Sequence, residues 1–221
     1  NSVFNALVEH KSYVIDQRIE RTIADLTKNN MLACYVKTKE DVIPKVLEYL
    51  KDGDTVSCGG STTLFETGII EYLRNGKYNY LDRYDPSIPA EKMDELFTKA
   101  LAADTYFSSS NAITEQGELF NIDGRGNRVA ALLYGPKSVI VIAGYNKIVA
   151  DAKAAFARVK ETAAPANARR LGYKIPCATT GKCMDCNSPE KFCCLFTLIG
   201  YQLPIRKDRI KVIIVGEELG Y

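Results

Sequence analysis

The sequence predicts an α/β protein built on a parallel-rich sheet flanked by helices. Three observations carry that expectation. SVIVIA at 138–143 and IKVIIV at 210–215 are uninterrupted, β-branched runs of the kind that strands buried on both faces display. Shorter apolar runs elsewhere alternate with segments of helical periodicity, the order expected of a sheet wrapped by helices. Finally, VSCGGSTTL at 56–64 reads as a strand closing on two glycines and a hydroxyl-rich helix start.

In chain order, Phe4, Leu7, Val8, Val14, Ile15, Ile19, Ile23 and Leu26 recur at helical spacing. They predict an amphipathic helix over about 4–28, ended by Asn29 and Asn30. A strand at 31–36 and a helix at 39–50 follow, with Pro44 in the helix's first turns, where a missing N–H costs least. Next come a strand at 55–58 and a helix at 64–74, for which Thr63 and Glu66 have capping-box spacing. Residues 78–81 read as a strand, 85–89 as a loop, 91–103 as a helix and 105–109 as a strand. Asp-Gly and Gly-Asn within 121–128 favour a hairpin between two strand-like runs. Gly144, Tyr145, Asn146 and Lys147 should lead directly into a helix with Ile148, Val149, Ala152, Ala155, Phe156 and Val159 facing inward, broken near Pro165. A short helix is expected at 168–171. The 221 residues can bury roughly 70% of the surface of the unfolded chain, so one domain over 1–221 is expected, with the first helix and a cysteine-rich segment at 177–194 as appendages.

Composition excludes several functions. A formal charge of +2, with no basic run interleaved with aromatics, gives no nucleic-acid footprint. No apolar run reaches membrane-spanning length and no signal-peptide pattern is present, so a cytoplasmic protein is expected. The sequence begins at Asn1 rather than Met, and a few native residues are expected to precede it. His10 is the lone histidine, between Glu9 and Lys11, and reads as solvated surface rather than part of a catalytic triad. Gly124 and Gly126 begin like a dinucleotide fingerprint, but Val129 stands where the third glycine belongs, and the run is expected between two strands.

The chemistry concentrates in 59–63 and 111–149. Gly59 and Gly60 let the backbone approach a ligand, and Ser61, Thr62 and Thr63 add hydroxyls, so a phosphate or carboxylate can be held there. The alternative is a capped turn with nothing bound. Asn111, Asn146 and Lys147 follow strand ends, where ligands of open α/β sheets collect, and are expected to border the same anion site. Glu115 is the candidate nucleophile or general base, weighed against a solvated glutamate. Lys147 is weighed against a pairing with Asp151 one turn on.

Five of seven cysteines crowd into 177–194, which argues against a secreted disulfide framework. Cys183 and Cys186 have chelate spacing, and Cys177 with Cys193 (Cys194 as the alternative) would complete a four-sulfur shell for zinc or an iron–sulfur cluster. Reduced thiols or a reversible Cys183–Cys186 disulfide are the other readings. Cys34 and Cys58 are expected to be ordinary buried thiols.

Several motifs agree in order with one family. VSCGGSTTL at 56–64 with Glu66 and Gly68, NAITE at 111–115 with Gly117, GNR at 126–128, GYNKIV at 144–149, the cysteine segment and GEELGY at 216–221 together resemble the lactate-utilisation (LUD) domain family, in a single-domain bacterial branch. The resemblance implies a fold similar to ribose-phosphate isomerases, glucosamine-phosphate deaminases and CoA transferases, in which a Gly-Ser-Thr loop grips phosphate. It also implies a glutamate nucleophile of CoA-transferase type, for which Glu115 is the nearest position, although the residues around it do not reproduce that transferase motif. Family members are linked to oxidation of lactate to pyruvate beside iron–sulfur partner proteins. Three functions are therefore expected in competition: an accessory or redox component of lactate oxidation, a stand-alone sugar-phosphate or CoA-type enzyme using Glu115, Asp123 and Lys147, and a non-catalytic anion-binding module.

Overall fold

The computed structural model describes residues 2–221, with side chains from His10 onward. Phe4, Leu7 and Val8 of the expected stripe therefore lie outside the described side chains. The elements in order are α1 (Ser2–Lys28), β1 (Leu32–Val36), α2 (Val42–Leu47), β2 (Thr55–Cys58), α3 (Thr62–Glu66), α4 (Ile69–Leu73), β3 (Asn79–Leu81), α5 (Met93–Ala100), β4 (Thr105–Ser108) and β5 (Ala112–Thr114). They continue with β6 (Leu119–Asp123), α6 (Asn127–Leu133), β7 (Ser138–Gly144), β8 (Ile148–Val149), α7 (Ala152–Arg158), α8 (Ala164–Leu171), α9 (Pro176–Thr180), β9 (Leu195–Ile199) and β10 (Ile210–Val215).

Six strands form one sheet in the order β1-β10-β7-β4-β2-β3, and every pairing in it is parallel. Parallel neighbours need crossovers, and the helices that supply them cover both faces. The two long β-branched runs lie side by side at its centre, with Val212 opposite Val141 and Ile214 opposite Ala143. Their side chains alternate. Val139, Val141, Ala143, Ile210, Val212 and Ile214 face α1 through Ile19 and Leu26. Ile140, Ile142, Ile213 and Val215 face the opposite core of Val42, Val46, Leu64 and Ile69 from α2, α3 and α4. A smaller sheet, β8-β5-β6-β9, packs Ile113 and Leu119 onto the α1 side. Among the described residues no helix is long and apolar enough to cross a membrane.

Several local expectations are corrected. The segment at 121–128 is not a hairpin: β6 pairs antiparallel with β5 and β9 and then opens into α6. Gly126 has the positive φ the pattern asks for, at +90°, but it precedes a helix, and the Asp123 carboxylate accepts from the N–H groups of Gly126 and Val129. Gly124 and Gly126 thus lie between a strand and a helix, not between two strands. Asn146 and Lys147 do not run into a helix either. They form a single 3-10 turn followed by the short β8, and α7 starts at Ala152 under the Asp151 N-cap. The expected break near Pro165 is bridged by a π-helical turn, Val159–Ala163, which joins α7 to α8 and accommodates a proline in the first turn of the second helix. The expected helix at 39–50 is shortened to α2 behind a 3-10 turn, and that at 64–74 divides into α3 and α4 at Gly68, whose φ is +71°. The capping box at Thr63 and Glu66 does not form, because both side chains are drawn to tertiary partners: Lys147 donates to Thr63 and the Gly220 N–H to Glu66. Cys58 is buried as expected, whereas Cys34 is only half-buried on the edge strand β1.

Candidate functional site

Because all six strands of the large sheet run parallel, their carboxyl ends share one edge, and ligands of such sheets bind there. The segments leaving β2, β3, β4, β7 and β10 bring Ser61, Arg83, Ser109, Lys147 and Gly220 respectively to a cleft of about 630 Å³. The opposite wall comes from the start of α6, from Asn167 and Arg170 of α8, and from 189–192 of the cysteine segment.

Lys147 lies at the bottom and is only 4% exposed. Its Nζ donates to Thr63 Oγ1 at 3.0 Å and to Ser109 Oγ at 2.9 Å, two neutral hydroxyls. Among the described residues no carboxylate lies within ion-pair distance of it. Burial, reinforced by the charges of Arg158 and Arg128, brings its pKa down to about 7. The competing Lys147–Asp151 pair does not form, since Asp151 accepts from Ala154 N at 2.8 Å as a helix cap.

Arg128 holds the wall together. Its Nη1 donates to Asn121 Oδ1 at 2.6 Å and Ser109 O at 3.2 Å, while Nη2 donates to Ile122 O at 2.6 Å and Asn111 Oδ1 at 3.0 Å. A side chain on Gly59 would put Cβ 2.8 Å from Arg128 Cδ, so the glycine before the hydroxyl run makes room for this guanidinium. Arg158 fixes the far strand ends by donating to Asn111 O at 2.6 Å and Asn146 O at 3.3 Å. Arg83 is stacked over the Phe97 ring, with its guanidinium carbon 4.9 Å from the centroid.

Charge in the cleft is one-sided. Arg83, Arg125, Arg128, Lys147, Arg170 and Lys191 line it against Asp123 and Glu190. Both carboxylates are engaged: Asp123 with backbone N–H groups and Arg128, Glu190 with the Lys174 N–H at 2.6 Å. Thr62 Oγ1, also on the lining, is buried without a protein partner among the described residues. Such a site favours an anion with several acceptor oxygens.

The placement of the expected residues divides into groups. Gly60, Ser61, Thr62, Thr63, Asn111 and Lys147 line the cleft, with Gly59 immediately behind Gly60. Asn146 lies beside it, where its side chain exchanges hydrogen bonds with the Leu219 backbone and holds the 216–221 segment against the cleft. Glu115 is outside. Its carboxylate accepts from Arg18 at 2.7 Å and Arg21 at 3.1 Å, tying β5 to α1. Arg83, Arg128 and Arg170 escaped sequence reasoning as site members, whereas Ser109 belongs to the polar run at 108–111 that the sequence puts at a strand's end on the ligand side. An arginine just past the 78–81 strand was the available signal for Arg83.

All seven cysteines are free. Burial raises the Cys177 thiol, and the neighbouring Cys183, Cys186 and Cys193 raise it further, which places these four in one electrostatic neighbourhood. Hydrogen bonds from Ser188 lower the Cys186 thiol. Among the described residues no group of three or more His, Cys, Asp or Glu side chains is arranged to hold a metal ion.

These features define an α/β protein with a basic cleft at the carboxyl edge of a parallel sheet. The chain belongs to the LUD domain family, whose profile matches residues 19–215. It is similar in fold to a DUF162 family protein from Deinococcus radiodurans, with a TM-score of 0.52 and 16% identity over 93% of this chain and 98% of that one. The eIF2B delta structure from Chaetomium thermophilum also matches, at a TM-score of 0.38 and 20% identity over 67% of this chain and 56% of that one. No curated protein sequence matches significantly.

Proposed function

We propose that this LUD-domain protein is an accessory or redox component of lactate-to-pyruvate oxidation, acting in the cytoplasm, whose basic cleft binds a small carboxylate or phosphate. The observation that carries this reading is the surplus of cationic side chains over two carboxylates that are already engaged. In it, Ser61, Thr62 and the backbone at Gly60 present hydrogen-bonding groups to the anion, Arg83 opposes its charge from the rim, and Lys147 sets the floor. Calorimetric titration with phosphate, lactate and pyruvate tests it. Arg83→Ala should weaken binding by about tenfold or more, the size of one charge-assisted hydrogen bond, and Ser61→Ala by less. Equal affinity in wild type and both variants rejects the site.

The position of Glu115 supports this reading over a CoA-type or sugar-phosphate enzyme built on that residue. Its carboxylate is committed to two arginines of α1, outside the cleft. A non-catalytic anion-binding module remains the reading if binding is tight and no turnover accompanies it.

A second observation concerns the cysteines. Cys177, Cys183, Cys186 and Cys193 are near enough to sense one another's charge, which suits a thiophilic ion or cluster, and Cys194 is the alternative fourth donor. They are not preassembled, so binding would also order the loop. An iron–sulfur cluster would supply one-electron transfer toward an iron–sulfur partner subunit; zinc would supply rigidity alone. Iron, sulfide and zinc analysis of anaerobically purified protein tests this, and absence of stoichiometric metal rejects it.

A further inference from the structure

We propose that Lys147 is a nucleophilic amine that forms a covalent imine with a small carbonyl-bearing anion, of the 2-oxo acid class, seated in the cleft. The inference rests on the reading of the cleft as an anion site and assigns a reaction to its floor.

The geometry differs from that of a simple counter-charge. A lysine kept for charge alone is expected beside a carboxylate or in water, whereas this one is buried between two neutral hydroxyls. A neutral amine can donate its two N–H bonds to Thr63 and Ser109 and still keep a lone pair. The groups around it act against protonation. Arg128 on α6 and Arg158 on α7 are both cationic and half-buried, and Glu66 on α3, which acts in the opposite sense, is occupied by the Gly220 N–H at 2.7 Å. A pKa near 7 agrees with this arrangement. The backbone is fitted to it as well: a Cβ on Gly220 would stand 3.2 Å from Nζ and 2.7 Å from Thr63 Oγ1, so the 216–221 segment closes over the amine without a side chain intruding.

The step balances without an oxidant. The Nζ lone pair attacks the carbonyl carbon and a C–N bond forms. The carbonyl π pair moves to oxygen, which takes a proton from nitrogen, relayed by the Thr63 or Ser109 hydroxyl. The C–O bond of the resulting carbinolamine then breaks, and the oxygen leaves as water with the second amine proton. Amine plus carbonyl therefore gives imine plus water. The ligand's carboxylate meets the surplus positive charge of the cleft while the reaction proceeds.

The full chain is incubated at pH 7 with pyruvate and cyanoborohydride, digested and mapped by mass spectrometry. The expected result is one N-carboxyethyl group on Lys147, formed at least ~tenfold faster than on exposed lysines, because a far larger share of this amine is unprotonated at that pH. Inorganic phosphate should slow it by competition. Mapping is done on the wild-type chain, so the result does not depend on the folding of a Lys147→Arg variant, in which the adduct should vanish. Modification spread over surface lysines in proportion to exposure, with none on Lys147, overturns the proposal. Calorimetry with phosphate and pyruvate separates the two levels. Binding without an adduct refutes the imine and keeps the anion site, whereas no binding and no adduct refute both.

Discussion

Replacing Lys147 by Met should change the pH dependence of stability by an amount the structure specifies. Lys147 is 4% exposed, and its pKa is lowered from 10.5 to about 7, first by burial and then by Arg158 and Arg128. Between those values the unfolded chain holds a proton that the native chain has released. Stability must therefore rise with pH across that window, and it is lowest below pH 7. From pH 7 to pH 9 the gain is about 2 kcal/mol, at 1.36 kcal/mol per pH unit, less the half-titrated region near 7. Lys147→Met removes the titrating group, and its flexible side chain fills similar space without a charge. Urea denaturation of both proteins at pH 6, 7, 8 and 9 isolates the contribution, because all other titrations cancel in the difference. The advantage of the variant over the wild type should shrink by about 2 kcal/mol between pH 7 and 9, or by roughly 4–8 °C in Tm for a chain of this size. Parallel profiles would mean that Lys147 keeps an ordinary proton affinity, and the electrostatic account of the cleft floor would be wrong.

Other substitutions probe the frame around the site. Arg128→Met leaves two backbone carbonyls and the side-chain oxygens of Asn111 and Asn121 without that donor, and should cost on the order of 3–5 kcal/mol in chemical denaturation. Gly117→Ala places a Cβ 2.4 Å from the backbone of Asp25 and Leu26 at a residue with φ of +74°, so at least ~2 kcal/mol should be lost, with faster hydrogen exchange along α1. Glu115→Gln should leave phosphate affinity unchanged and loosen α1, seen as increased proteolysis near Arg18 and Arg21; a loss of affinity without that loosening would return Glu115 to the ligand.

Where local pattern and tertiary demand agree, the fold was legible in the chain. The runs at 138–143 and 210–215 are β-branched because both faces are buried, and they lie adjacent at the centre of the sheet. The parallel-rich α/β architecture follows from them. Errors arose where a side chain satisfies a distant partner. Thr63 and Glu66 have the spacing of a capping box, yet Lys147 and Gly220 claim them from 84 and 154 residues away. Gly126 supplies a left-handed conformation in either a hairpin or a helix start, and the Asp123 carboxylate selects the helix by accepting from two N–H groups of that turn. The apolar run of β9 carries a weak strand signal, because it follows the cysteine segment and three of its five residues are exposed. Within the site, the 59–63 loop, Asn111 and Lys147 stand out as polar residues at strand ends. Arg83 and Arg128 do not, because only the folded chain shows that a ring supports one and that a missing Cβ at Gly59 admits the other.

The claim that the basic cleft is an anion site is tested most directly by a crystal structure of the protein grown with phosphate. The account predicts tetrahedral density in the cleft, within hydrogen-bonding distance of the hydroxyls at 61–63 and facing Arg83 and Lys147, weakened in Arg83→Ala crystals grown alike. Density confined to exposed lysines and arginines, with the cleft holding only water at saturating phosphate, would contradict it.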